Sequence, residues 1–170
     1  MEENWNIYNM TTYVQKFKEK FPDKNTPESI IAYHGGDSKI NSFSIDKGPV
    51  IFYSDENKAR EHGIYVTKAI ISMNRTISPQ SYPRRTDIVY MVTHSAKLKP
   101  DEYFDAVDNS MRKGSSKKCY EEIKDTLYAD NLHLYVTNML KIGYDGVISK
   151  EKDLITYEVF NPKSIKIINQ

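Results

Sequence analysis

The residues best suited to chemistry in this 170-residue chain fall into three separated stretches. The first, Tyr33-His34-Gly35-Gly36, follows the apolar run Ile30-Ile31-Ala32. Glycine lets a ligand come close to the backbone and use its N–H and C=O groups. A histidine just before it can donate to a sugar hydroxyl. Taken alone, a Gly-Gly pair after a strand usually marks only a turn. The second stretch, Val50-Ile51-Phe52-Tyr53-Ser54-Asp55, leads to Ala59 and His62. Neighbouring strand residues point to opposite faces, so one of Phe52 and Tyr53 faces a core and the other can face a cleft. A flat cationic ring would stack there, although two packing aromatics fit the same spacing. The third stretch is Gly143-Tyr144-Asp145-Gly146-Val147, followed by Thr156-Tyr157-Glu158-Val159-Phe160-Asn161-Pro162-Lys163-Ser164-Ile165-Lys166. A strand carboxylate beside a cleft can accept from a ribose 2′-hydroxyl and stabilise positive charge developing on the sugar. A solvated edge-strand glutamate has the same signature.

The elements that must position these residues follow from periodicity and punctuation. Met10, Val14, Phe17 and Phe21 recur at helical spacing, and Pro22-Asp23 ends that helix. Thr26 reads as an N-cap, with Pro27 at the first position of a short turn. Ile30–Tyr33 then reads as a buried strand and Ser38–Gly48 as a loop pinned by Ile40, Phe43 and Ile45. Pro49–Tyr53 is a second strand. Ser54 caps a helix through Asp55–Arg60, which Gly63 ends. Ile64–Met73 and Asp87–Thr93, rich in Ile, Val and Tyr, read as strands, with a loop over Asn74–Thr86. Pro100–Asn109 and Ser115–Tyr128 read as helices, joined by a basic linker over Met111–Lys118. Another helix carries Leu132, Tyr135, Val136, Met139 and Leu140, with Gly143 at its C-terminal end. Gly146–Ile148, Leu154–Phe160 and Ile165–Ile168 close the chain as strands. Strands at both ends and helices between them predict an α+β fold around a split antiparallel β-sheet core with flanking helices.

Composition narrows the function classes. One domain is the expectation at this length, with residues 1–29 as a helical extension and 30–170 as the core. Twenty-four basic against 23 acidic residues leave a formal charge of +1, so no global field draws nucleic acid, and none is expected as a partner. The contrary reading, a nucleic-acid-binding phage protein, draws only on Arg84-Arg85 and the 112–118 basic loop. A single cysteine, Cys119, excludes an internal disulfide and a Cys-rich zinc site. No metal is expected. No apolar run approaches the ~20 residues of a membrane span. Met1–Asn9 lacks the basic-then-apolar pattern of a signal peptide, so the mature protein is expected to be the whole chain, in a bacterial or host cytoplasm.

In this order the three stretches resemble the ADP-ribosyltransferase superfamily, in particular the bacterial and phage branch of polyvalent proteins and toxins. Members carry a Tyr-His-Gly start, an aromatic strand ending in Ser/Thr-Asp before an Ala-containing helix, and a late Gly-Tyr-Asp-Gly turn. A strand of the type Tyr-Val-Val-Phe-Asp-Pro-x-x-Ile-Lys follows, where this chain has Tyr157-Glu158-Val159-Phe160-Asn161-Pro162-Lys163-Ser164-Ile165-Lys166. The likeness spans roughly residues 30 to 168 and rests on the ordered set of motifs.

The resemblance implies NAD⁺ as substrate, no metal, and transfer of ADP-ribose to a side chain of a target protein, such as Arg, Ser, Asp or Asn. The protein would then be an effector or toxin of a phage or bacterium. It also implies roles. His34, beside Tyr33, would hold the adenine-side ribose, and the backbone of Gly35, followed by Gly36, would hold the nicotinamide carboxamide. Phe52 or Tyr53, with Ser54 at the strand end, would line the nicotinamide pocket. His62 stands where relatives carry a second stacking aromatic. The family strand opens Glu-Tyr-Val-Val with a catalytic Glu. Here Thr156 occupies that place, and Glu158 lies about 6–7 Å further along the same strand face. Glu158 is the first choice for the catalytic carboxylate, then Asp153, then Glu151. The alternatives are an NAD⁺ glycohydrolase, with water as nucleophile, and an inactive interaction module that kept the fold.

Overall fold

A computed structural model gives the fold and describes residues 28–99, 102, 105 and 116–169. The helix read over Met10–Phe21 and the Thr26-Pro27 cap lie outside the described residues, as does most of Pro100–Asn109. The described chain runs β1 (Glu28–Gly36), β2 (Val50–Tyr53), α1 (Glu56–Arg60), β3 (Tyr65–Met73), β4 (Thr76–Ile77), α2 (Arg85–Thr93), α3 (Ser116–Tyr128), α4 (Leu132–Lys141), β5 (Gly146–Glu151), β6 (Leu154–Val159), a 3₁₀ turn (Pro162–Ser164) and β7 (Ile165–Asn169). It is an α+β fold.

The strands form one seven-stranded sheet in the order β4-β5-β6-β2-β1-β3-β7. Every pairing is antiparallel except β4 with β5. The sheet is therefore mixed and not wholly antiparallel, because the two-residue β4 adds a parallel edge inside the stretch read as a loop.

Alternation sets the two faces. Ala32, Val50, Phe52, Ala69, Ile71, Met73, Tyr157 and Val159 pack as a core on one face, with Phe43 and Ile45 of the 38–48 loop against it. On the other face α2, α3 and α4 bury Met91, Tyr128, Tyr135, Val136 and Met139 against Val147 and Phe160. The α3 helix is amphipathic and buries Cys119, Tyr120, Ile123, Leu127 and Tyr128.

Four further readings are corrected. Asp87–Thr93 is helical, with Asp87, Ile88, Tyr90, Met91 and Val92 buried. The Asp87 carboxylate accepts from the backbone N–H of Arg84 at 3.0 Å, which supplies a helix start that β-rich composition hides. Asp55, not Ser54, caps α1, accepting from Lys58 N at 2.9 Å. Ser54 Oγ instead accepts from Ile155 N at 3.0 Å and ties β2 to β6. The α1 helix ends at Glu61, ahead of Gly63. Gly63 is needed for a different reason: a Cβ there would come within 2.3 Å of the Gly36 carbonyl. Lys117 and Lys118, read as linker, belong to α3.

Candidate functional site

The three chemistry-bearing stretches, far apart in sequence, become the adjacent strands β6, β2 and β1. Tyr53 pairs with Tyr33 on one side and Thr156 on the other, and Thr156 pairs in turn with Ser149. These side chains share a row on the helix-covered face. The next row on that face runs through Ile51, Glu158 and Val147. Continuing the β1–β2 register brings Gly35 to the end of this row, two strands from Glu158, about 10 Å away.

The helix α1 closes over the β1 end of these rows. A Cβ on Gly35 would stand 1.8 Å from the Ala59 carbonyl oxygen, so only glycine permits this approach. The turn after α1 lays His62 flat on Tyr53, ring centroids 4.8 Å apart and planes 8° from parallel. Burial raises the Tyr53 hydroxyl pKa, with Lys58 pulling it down and Glu61 pushing it up. Tyr33 carries Lys68 Nζ over its ring at 5.9 Å.

His34 and Phe52 occupy the opposite face, ring centroids 5.6 Å apart. Phe43 packs on both, at 5.1 and 5.3 Å. His34 Nδ1 lies 2.7 Å from the Ile51 carbonyl oxygen, which can only accept, so Nδ1 carries the proton. His34 borders a cavity of about 350 Å³ with Phe43, Lys47, Val50 and Ile51. The residues that the resemblance assigns to NAD⁺ are therefore divided between the two faces of the sheet. Strand alternation sends His34 and Phe52 to one face and Tyr53, Thr156 and Glu158 to the other.

Glu158 lines a separate cavity of about 270 Å³ between α3 and the β5–β6 strands. Its Oε2 is buried and has no hydrogen-bond partner, while Lys124 Nζ on α3 forms an ion pair with it at 3.5 Å. The Lys124 ammonium also lies 5.2 Å above the Tyr135 ring. Beside them the Tyr120 and Tyr135 hydroxyls share a hydrogen bond. Burial raises both phenols, and Glu158 adds to the rise. Glu151, at the end of β5, and Asp153, in the β5–β6 turn, are exposed and do not line this cavity.

Sequence reading missed Lys124. Its position on the sheet-facing side of an amphipathic helix was the available signal, but nothing in the sequence paired that helix with β6. Among the described residues no group of three or more His, Cys, Asp or Glu is placed to hold a metal ion. No described helix is long and apolar enough to cross a membrane.

No family model matches the chain, and no curated protein matches it. Among solved structures, the crystal structure of an anti-CRISPR protein is similar to it. The TM-score is 0.41 at 14% identity, over 82% of this chain and 96% of that one.

Proposed function

We propose that the chain is a mono-ADP-ribosyltransferase that binds NAD⁺ along the helix-covered face of β1, β2 and β6 and transfers ADP-ribose to a protein side chain. One observation carries this reading. Gly35, Tyr53, Thr156 and Glu158, from three separate motifs, lie on one face of three adjacent strands. The roughly 10 Å between Gly35 and Glu158 suits a nicotinamide held at one end and its ribose at the other. In this arrangement the Gly35 backbone clamps the carboxamide, and the Tyr53–His62 pair offers an aromatic face to the nicotinamide ring. The carboxylate of Glu158 meets the positive charge that develops on the ribose as the glycosidic bond breaks. The opposite-face residue His34 acts through the backbone by its bond to the Ile51 carbonyl.

Incubation with labelled NAD⁺ and a bacterial lysate tests the reading. Transfer predicts discrete labelled protein bands. Nicotinamide release without labelled protein would make the chain a glycohydrolase instead.

A second reading has its own support. Thr156 stands where the resembling family carries its catalytic Glu, and Lys124 already holds Glu158 at 3.5 Å. An inactive module would bind NAD⁺ or a protein without releasing nicotinamide, which calorimetry alongside nicotinamide assay separates from turnover.

A further inference from the structure

We propose that the cavity beneath α3 selects a neutral, hydroxyl-bearing side chain, Ser or Thr, as the acceptor of ADP-ribose. This deepens the transferase reading and rests on it. The cavity adjoins Glu158, so a nucleophile approaching a sugar held by that carboxylate would pass through it. Charge then discriminates among acceptors. A guanidinium set against the Glu158 carboxylate would also stand beside the Lys124 ammonium, which lies 3.5 Å from Oε2. A carboxylate acceptor would face Glu158 itself. Three lysines, Lys117, Lys124 and Lys150, and three acids, Glu121, Asp125 and Glu158, line the space, so no net field draws either ion in.

A hydroxyl fits both groups at once. It can donate its proton to the Glu158 carboxylate and accept an N–H from Lys124 with a lone pair. The Tyr82 and Tyr120 rings, centroids 6.3 Å apart, flank the approach. In the transfer step the hydroxyl oxygen forms a bond to the ribose anomeric carbon as the bond from that carbon to the nicotinamide nitrogen breaks. Nicotinamide leaves neutral with the electron pair, and the hydroxyl proton passes to Glu158, which later releases it to water. In this step Lys124 is a positioning and specificity residue.

The test offers the full-length protein NAD⁺ with four blocked amino acids in separate arms: N-acetyl methylamides of serine, arginine, aspartate and asparagine. Adducts are quantified by mass spectrometry and nicotinamide release is followed in parallel. The serine compound is expected to react about tenfold or more faster than each of the others. In K124Q the ratio of arginine to serine adduct should rise about tenfold, because the repelling ammonium is gone. An adduct formed mainly on arginine, aspartate or asparagine overturns the acceptor class. So does nicotinamide release with no adduct in any arm. NAD⁺ left intact in every arm overturns the transferase reading and this inference with it, whereas the first two outcomes leave NAD⁺ cleavage standing.

Discussion

Tyr53 and His62 lie face to face at 4.8 Å, one from the end of β2 and the other from the turn after α1. The pair joins the helix α1 to the strand beside Gly35 and presents a flat aromatic surface at the Gly35 end of the proposed cleft. Replacing His62 by Ala removes one ring of a stacked pair, worth about 0.5–1.5 kcal/mol. On the present reading H62A weakens NAD⁺ binding several-fold, as titration calorimetry would measure, while H62F restores most of the loss. Unchanged affinity in H62A would remove this pair from the cleft.

The approach of α1 to β1 gives a second prediction. Gly35→Ala forces a Cβ to 1.8 Å from the Ala59 carbonyl oxygen, a backbone atom that cannot swing aside. The helix must lift, at a cost of about 1–3 kcal/mol as for other overpacked sites. Urea denaturation would show a lower midpoint. A midpoint equal to wild type would mean that α1 does not sit on Gly35.

A third prediction concerns the anchor of α2. Asp87 accepts from Tyr144 Oη at 2.8 Å and pairs with Arg75 at 3.1 Å. Arg75 also donates to the Ile142 carbonyl at 2.9 Å. Substituting Arg75 by Met leaves Asp87 without its cation, and breaking a buried pair in this way costs about 3–5 kcal/mol. R75M should lose far more stability than K97M, whose salt bridge to Asp130 is exposed. Equal losses in the two variants would contradict the buried network.

Of these features the sequence showed six of the seven strands and the helices α1, α3 and α4, but not their partners. Phe52 and Tyr53 were legible as a pair facing opposite ways, because strand alternation is local. Which of them shared a face with Glu158 was not legible, since that depends on the register Phe52↔Tyr157 across two strands about 100 residues apart in sequence. The segment 87–93 shows the reverse case. Ile88, Val89 and Val92 favour strand by propensity, yet burial against α3 and α4 and the Asp87 start make it helical. Likewise β4 holds two residues, too few to leave a periodic trace.

Alkaline pH supplies a fourth prediction. Burial pushes the Tyr128 hydroxyl from 10.0 up to about 12, and burial likewise raises Tyr120, Tyr135 and Tyr144. The folded protein therefore holds these protons more tightly than the unfolded chain. The resulting stability is complete below pH 10.0 and drains away as pH rises toward about 12. Urea midpoints across that window should fall steeply, and less steeply in Y128F. A flat profile would mean that these phenols are solvated.

The most direct measurement is the rate of ADP-ribose transfer from NAD⁺ by the Glu158→Gln variant, with NAD⁺ affinity determined in parallel. Glutamine keeps the shape and removes the charge that meets the developing cation. The account predicts transfer reduced by about 10²-fold or more with affinity nearly unchanged. Wild-type transfer rates in E158Q would contradict it.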